Sequence, residues 1–393
     1  MRIALVGTRG VPARYGGFET AVEEVGSRLA AGGHDVVVYC RTTPGDGGPP
    51  ARPDRHLGMR LVHLPAVRSR AVETLSHTAL SVGHLLGHRV DAAFVFNAAN
   101  APLLPVLRAA RIPVATHVDG LEWQRSKWSG AGRRYYRRAE ELAVRWSDAL
   151  IADAQGIADY YTREFAAPTE LISYGAPVIH PPTDRLAGLG LTRDGFHLVV
   201  ARFEPENHVE EIVRGYAASS ARQPLVVVGS APYSDAYTAR VHAAGDDRVR
   251  FLGAVWDQEL LDQLYAHSLT YLHGHSVGGT NPSLLRALGA GASSIAWDVD
   301  FNHEVLADAG RYFGSAAEVA GLVVAAENDP DAARRRGARA RRRAAGYDWD
   351  DVAAAYEQLA VRLAARQLPA RRPSGRRSAL AAQPAAPRLR VVA

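Results

Sequence analysis

Short runs of apolar and β-branched residues alternate along this chain with longer segments of helical pattern. The first series of runs reads RIALVG, DVVVYC, RLVHL, DAAFVF, PVATHV, ALIADA and ELISY. Helical segments such as ETAVEEVGSRLAAGG and YYRRAEELAVRWS lie between several of them. Because strands that alternate with helices form parallel βαβ units, the pattern predicts an α/β protein with a doubly wound parallel sheet.

The same alternation restarts after a stretch rich in proline and glycine. The second series reads FHLVVAR, PLVVVG, VRFLG, SLTYLHG and SSIAW. We therefore expect two α/β domains whose strands point their carboxyl ends at a shared cleft, the place where such sheets bind ligands. The predicted parts are a first domain over 1–175, a linker over 176–194, a second domain over 195–345, a helix over 346–365 and a disordered tail of Arg, Pro and Ala over 366–393.

Composition excludes several classes of protein. Cys40 is the only cysteine, so an internal disulfide and a cysteine-rich metal site are both excluded. The net charge is +5, but residues 364–393 contain seven arginines and no acid. The rest of the chain therefore carries a small negative net charge and offers no footprint for nucleic acid. No apolar run reaches the roughly 18 residues of a spanning helix, and the chain opens on a strand rather than a signal peptide. We expect a cytoplasmic protein.

A glycine-rich loop follows the first predicted strand, in GTRGVPARYGGFET. Gly16 and Gly17 let the backbone approach a ligand closely, and we assign them to the donor, whereas Arg14 and Tyr15 beside them are placed on the acceptor side. The spacing of the glycines is wrong for a dinucleotide fingerprint, so NAD is not expected. A plain glycine-rich loop is the alternative; the adjacent Arg and Tyr favour a ligand loop.

A second polar cluster follows the predicted strand PVATHV. His117 and Asp119 lie at its carboxyl end, where an imidazole can hydrogen-bond a substrate hydroxyl and a carboxylate can orient it or accept its proton. The alternative is a histidine satisfied within the core. The polar neighbours Glu122 and Arg125, with Trp123 between them, favour a functional cluster, and we place these three on the acceptor side.

Cations and aromatic residues are interleaved over residues 125–138. This composition suits an anionic acceptor or peripheral contact with a membrane surface, to which the basic tail would contribute. A solvated helix face is the alternative.

The second domain opens with the motif VARFEPEN. Arg202 emerges at a strand end, and Glu206 and Asn207 begin a predicted helix, so a diphosphate fits between the guanidinium and the helix amides. Lys127 is the only lysine in the sequence, which excludes the phosphate-binding P-loop because its lysine is missing.

A further candidate phosphate loop lies between the strand SLTYLHG and a helix that Pro282 starts. Its paired glycines and hydroxyl groups suit an anion, although Arg286 follows within the helix. Nearby, Asp298 and Asp300 form a DxD pair that is a weak indication of Mg²⁺. The predicted donor-binding residues of the loop and helix are Ser276, Gly278, Gly279, Thr280, Asn281, Ser283 and Arg286.

Five ordered motifs together resemble one family. GTRGVPARYGGFET, DGLEWQRSKW, ADAQGIADYY, RFEPEN and HGHSVGGTNPSLL are similar to the bacterial GT-B glycosyltransferases of family 4, in the rhamnosyltransferase-like subgroup with a DUF1972-type amino-terminal domain. The resemblance implies the GT-B fold of two facing Rossmann-like domains. It also implies a nucleotide-diphosphate sugar held mainly by the second domain, an acceptor held mainly by the first, retention of anomeric configuration, and neither a cofactor nor an obligatory metal.

The resemblance also assigns roles to individual residues. His117 falls at the position of the family's active-site histidine, and Arg202 at that of the arginine that meets the diphosphate. Asn207 stands where the wider family has a lysine, and Gly278 and Arg286 stand where it has two glutamates that contact the donor sugar and its ribose. Losing such a partner costs about 1–3 kcal/mol, or roughly ten- to a hundredfold in affinity, so we expect weakened activity.

The resemblance therefore implies an enzyme that moves a sugar from a nucleotide sugar to a glycan or lipid-linked acceptor in surface polysaccharide synthesis. Positioning and stabilisation of the leaving diphosphate would supply most of the catalysis. Two alternatives remain open: a non-catalytic GT-B scaffold, which Arg286 motivates, and a nucleotide-sugar epimerase.

Overall fold

The two predicted series of strands form two separate sheets in the computed structural model of the protein. The structure describes residues 1–13, 16–42, 53–69, 72–118, 120–125, 128–230 and 235–368. The predicted disordered tail therefore falls almost wholly outside the described residues.

The first sheet has eight strands in the order β3-β4-β2-β1-β5-β6-β7-β8, all parallel apart from β3, which is antiparallel to β4. Its centre is fully buried, because helices cover both faces of a parallel sheet. The strands are β1 (Arg2–Val6), β2 (Asp35–Thr42), β3 (Arg55–His56), β4 (Met59–Pro65), β5 (Ala92–Phe96), β6 (Val114–His117), β7 (Ala149–Ala152) and β8 (Glu170–Leu171).

The second sheet has six parallel strands in the order β11-β10-β9-β12-β13-β14. These strands are β9 (His197–Val200), β10 (Leu225–Val228), β11 (Val249–Gly253), β12 (Thr270–His273), β13 (Ser294–Trp297) and β14 (Arg311–Phe313). The sequence analysis missed β3 and β14, which are two and three residues long. Such short strands carry too few residues to show a period.

Helices connect most of the strands, and the helix predicted to start at Tyr135 begins five residues earlier, at Gly130. In the first domain they are α1 (Gly17–Ala31), α2 (Glu73–Gly87), α3 (Leu104–Ala109), α4 (Gly130–Trp146) and α5 (Gln155–Phe165). In the second they are α6 (Val209–Ala217), α7 (Asp235–Ala243), α8 (Gln258–His267), α9 (Pro282–Ala290), α10 (Asp300–Leu306), α11 (Ala316–Asn328) and α12 (Pro330–Ala344). Within the described ranges, no helix has the length and apolar character that crossing a bilayer needs.

The last helix, α13 (Trp349–Ala364), returns to the first domain. Tyr356 packs edge-on against Phe94 of β5, with 5.0 Å between ring centroids. At its two ends, Asp350 accepts a hydrogen bond of 2.6 Å from Arg28, and Arg362 donates one of 2.8 Å to Glu170. The chain therefore crosses between the domains twice, and α13 fastens its carboxyl-terminal part to the first sheet.

Candidate functional site

The carboxyl ends of the strands in the two sheets meet, and their loops touch through glycine. We call residues 274–281, between β12 and α9, the cleft loop. A Cβ atom on Gly120 would lie 2.5 Å from the carbonyl carbon of Gly278, and one on Gly17 would lie 2.9 Å from Cγ of Pro282. Since real Cβ atoms need more room than this, only glycine allows the two walls to come so close.

His117 ends β6 at the floor of this cleft, as predicted. The side chain is 1% exposed, and its ring stacks on Phe96 and Tyr174 at centroid distances of 5.6 and 5.7 Å. Among the described residues, neither ring nitrogen has a hydrogen-bond partner, so no described group satisfies this histidine within the core. Burial lowers the pKa of His117 to about 3, so the imidazole is neutral at physiological pH and each nitrogen can bond a ligand hydroxyl.

Three of the predicted site residues lie outside the described residues. Asp119, predicted to act with His117, is one, and Arg14 and Tyr15 of the first glycine loop are the others. Gly16 caps the amino terminus of α1 with φ +113°, a conformation that favours glycine.

Arg202 follows β9 and lies exposed at the cleft, on the wall opposite β6. Its carbonyl oxygen accepts a 2.8 Å hydrogen bond from Nδ2 of Asn207, whose Oδ1 bonds Nδ1 of His275 at 2.9 Å. Asn207 therefore joins the Arg202 loop to the cleft loop, and its side chain is committed to that structural task.

The predicted helix start at Glu206 is wrong in detail. Residues Pro205–Asn207 form a single 3₁₀ turn, and α6 begins at Val209. The carbonyl oxygen of Glu206 accepts hydrogen bonds from the amide and hydroxyl of Ser276, at 2.9 and 3.1 Å. A positive φ at His208 breaks the helix between the two turns. The amides that the sequence analysis assigned to a phosphate therefore belong to a turn that supports the cleft loop.

The cleft loop ends at a capped helix. Oδ1 of Asn281 accepts a 2.9 Å hydrogen bond from the amide of Ser283, and Pro282 occupies the first helical position of α9. Because Ser276 and Ser283 already use their amides, the donors left for an anion lie between them. Within the described part of the chain, the amides of 277–281 donate to no acceptor. This stretch contains the predicted residues Gly278, Gly279 and Thr280.

Arg286 is held by an acid on the neighbouring helix. Its Nε donates to Oδ1 of Asp262 on α8 at 2.6 Å, and its Nη2 donates to Oδ2 at 3.1 Å. Both side chains are mostly buried, at 24% and 17% exposed. The carboxylate of Asp262 thus balances the positive charge of Arg286. A role for Arg286 in donor binding remains a prediction.

The predicted acceptor residues form an ion network across the cleft. Nε of Arg125 lies 2.9 Å from Glu122 in the first domain, and its Nη1 lies 3.7 Å from Glu206 in the second. The guanidinium of Arg137 stacks over the Trp123 ring at 5.3 Å. Glu206, assigned to the donor, therefore shares the cation of the acceptor side, and acceptor binding by Glu122, Trp123 and Arg125 remains a prediction.

The basic stretch over 125–138 divides between two environments. Arginines of α4 are exposed, whereas its residues Tyr135 and Tyr136 pack inward: Tyr135 donates to the carbonyl of Ala99, and Tyr136 packs on Trp128 at 4.9 Å between ring centroids. Lys127 lies outside the described residues. The exposed arginines are Arg133, Arg134, Arg137 and Arg138.

Sequence reasoning missed Asp153, which follows β7 at the cleft floor. Its carbonyl oxygen accepts a 2.7 Å hydrogen bond from the Thr280 hydroxyl across the cleft. The motif ADAQGIADYY contains it, but no local signal separates an acid that faces a cleft from one that caps a helix.

A metal site is not apparent in the described ranges, where no three His, Cys, Asp or Glu side chains are grouped to hold an ion. Of the DxD pair, Asp298 bonds Nε2 of His303 at 2.6 Å, and Asp300 begins α10.

Comparison with known proteins gives a glycosyltransferase family for each half. Residues 16–175 match the family described as Glycosyl transferase 4-like domain, and residues 189–343 match Glycosyl transferases group 1. A glycogen synthase of Mycobacterium tuberculosis is 27% identical over 396 residues, covering 91% of this chain and 94% of that protein.

Solved structures share the fold over nearly the whole chain. Sucrose-phosphate synthase from Thermosynechococcus elongatus superposes with a TM-score of 0.79 at 22% identity, covering 93% of this chain and 99% of that one. Anabaena Alr3699/HepE in complex with UDP-glucose superposes with a TM-score of 0.74 at 16% identity, covering 92% and 100%. With two glycosyltransferase domains in this order on two facing parallel sheets, the chain is a glycosyltransferase of the GT-B fold.

Proposed function

We propose that the enzyme transfers a sugar from a nucleotide-diphosphate sugar to a glycan or lipid-linked acceptor, with retention of anomeric configuration, in surface polysaccharide synthesis. We place it in the rhamnosyltransferase-like subgroup with a DUF1972-type amino-terminal domain. The observation that supports the proposal most is the arrangement at the cleft: Arg202 and the cleft loop stand on one wall, and an unpartnered His117 stands on the other.

The cleft loop and Arg202 suit a sugar diphosphate. Free amides over 277–281 and a guanidinium next to them supply donors to phosphate oxygens without a metal ion or a lysine. When the bond from the anomeric carbon to the diphosphate breaks, negative charge develops on the leaving oxygen, and donors fixed in advance stabilise it. Structures of Anabaena Alr3699/HepE hold UDP, and in one case UDP-glucose, which favours a uridine nucleotide as the first donor to test.

His117 has a role in orientation rather than in proton transfer. Its neutral imidazole, locked between Phe96 and Tyr174, offers one donor and one acceptor nitrogen to sugar hydroxyls. A group with a pKa near 3 is too weak a base to accept a proton efficiently at neutral pH. We therefore assign His117 to holding the sugar and leave proton chemistry to Asp119.

The acceptor side carries the cations that an anionic acceptor needs. Arg125 lies at the cleft, and the exposed arginines of α4 extend the positive surface away from it. We propose that a lipid-linked acceptor lies along this path, with α4 in peripheral contact with an anionic membrane surface. Since the α4 aromatic rings are packed inward, the contact is electrostatic and should weaken as salt rises.

The test is a donor panel. UDP, GDP, dTDP and ADP sugars are screened by thermal shift, because a ligand that binds only the folded state raises the unfolding temperature. Hydrolysis and transfer are then measured with the best donor for wild type, Arg202→Ala and His117→Ala. Arg214→Ala, at the far end of α6, is the matched control. We expect Arg202→Ala to lose roughly 10²–10³-fold in kcat/KM. Unchanged turnover in both cleft variants would sink the assignment.

A further inference from the structure

Asp153 touches the cleft loop with both its main chain and its side chain. While its carbonyl oxygen accepts from Thr280, its carboxyl group lies against Gly279, where a Cβ atom would come within 2.7 Å of Cγ and 2.9 Å of Oδ2. Any residue larger than glycine at 279 would be blocked by this carboxyl group. The contact therefore joins the end of β7 in the first domain to the middle of the cleft loop in the second.

The carboxyl group is buried without a partner for one of its oxygens. Asp153 is 2% exposed, and Oδ1 makes no hydrogen bond with any residue that the structure describes. An ionised carboxylate in such a place loses its hydration, and the hydrogen bond from its own main-chain amide offsets only part of that loss, whereas a neutral carboxyl group loses far less. Burial accordingly raises the pKa of Asp153 to about 7.

The groups that face Asp153 do not relieve an ionised form. Glu304 of α10 lies close enough to raise the pKa of Asp153 further, and it is itself fixed by 2.8 and 3.0 Å hydrogen bonds from the amide of Gln155. The phenol of Tyr356 on α13 also interacts with Asp153: after burial, the charge of Asp153 is the second cause of the raised pKa of Tyr356. The cleft loop contributes only Gly279 and Thr280, which carry no charge. Both of these ionisable neighbours are acids, and a diphosphate on the loop would add more negative charge.

We propose that Asp153 is a positioning residue of the cleft loop: its neutral carboxyl group docks residues 278–280 against the first domain, and its ionisation loosens them. Donor binding then requires the proton, because an ionised Asp153 would repel the diphosphate from below the loop. This part rests on the proposed function, whereas the docking of the loop does not. Asp153 has no role in bond making or breaking.

The first experiment needs no donor. Thermal unfolding of wild type and Asp153→Asn is compared from pH 5 to 8, with Asp247→Asn as an exposed control that loses the same charge. Wild type keeps a proton in the folded state that the unfolded state releases, so its stability falls from about pH 4 to 7 and then levels off. We expect the advantage of Asp153→Asn to grow by on the order of 5 °C between pH 5 and 7. A difference independent of pH would overturn the proposal.

The second experiment measures the KM for the donor across the same pH range. In wild type it should rise with pH by up to about tenfold per unit relative to Asp153→Asn, with kcat less affected. Asp153→Ala, which removes the docking group, should raise KM at every pH. If Asp153→Asn is as impaired as Asp153→Ala at every pH, an ionised carboxylate is required and the proposal fails.

Glu304→Gln provides a variant that leaves Asp153 in place. The side-chain oxygen at position 304 in this variant can still accept the hydrogen bond from the amide of Gln155, but the negative charge is gone. The pKa of Asp153 should therefore fall, and the stability of the protein should stop declining at a lower pH. If no nucleotide sugar binds while the pH effects on unfolding appear as described, the proposed function fails and the docking role stands. If a donor binds and unfolding shows no such pH dependence, the docking role fails and the proposed function stands.

Discussion

Arg286 on α9 and Asp262 on α8 form a two-point ion pair, with 2.6 Å between Nε and Oδ1. The two residues are 24 positions apart and lie on consecutive helices, one before and one after β12. The positive charge of Arg286 is therefore balanced by a carboxylate on the preceding helix.

Arg286→Glu should destabilise the protein, because it places two carboxylates face to face in a mostly buried site. We expect a loss of about 1–3 kcal/mol in the free energy of unfolding. The swapped variant Asp262→Arg with Arg286→Glu should recover most of this loss, which urea unfolding of the four proteins of the cycle would measure. An unchanged midpoint in Arg286→Glu alone would show that the pair contributes nothing.

His117→Ala should reduce activity by the same factor at every pH from 5.5 to 8.5. The pKa of His117 is about 3, so the imidazole stays neutral throughout this range and its contribution cannot titrate. The measurement is the ratio of wild-type to variant kcat/KM against pH. A ratio that changes through a step near pH 6.5 would mean that the folded protein leaves this imidazole with an ordinary pKa.

Gly120→Ala should hold the cleft open. Its methyl group would collide with the backbone of Gly278, which cannot move aside as a flexible side chain does. We expect a higher donor KM and a larger radius of gyration by small-angle scattering. Gly156→Ala is the control: this helical glycine has no atom within 4 Å of a new Cβ, so the change should stabilise by about 1 kcal/mol at most.

Glu327→Gln should destabilise the second domain in a way that depends on pH. Burial opposes ionisation of Glu327, yet hydrogen bonds from His197 and from the amides of Arg222 and Gln223 lower its pKa to about 2. A lowered pKa adds stability above the unfolded value near 4.5, and that stability is lost as pH falls toward 2. Calorimetry should show a deficit of about 2–3 kcal/mol at pH 7 that shrinks by pH 3.

The order of strands and helices along the sequence predicts much of the site. Carboxyl ends of parallel strands share one edge of a sheet, so His117 after β6 and Arg202 after β9 had to lie at the cleft. The roles of Asn207 and Glu206 were less accessible. Both residues hydrogen-bond to cleft-loop residues that lie about 70 positions later in the sequence. The motif RFEPEN contains no pattern that predicts these partners.

Sequence by itself determined the two α/β domains, their strands of four residues or more and the helix that starts at Pro282, because periodicity and capping act within a few residues. Only the tertiary structure decided that α13 returns to the first sheet, that Asp262 forms an ion pair with Arg286, and that Asp153 packs against Gly279. Each of these depends on how separate elements pack. That packing follows from shape and burial over the whole chain, which no short stretch of sequence contains.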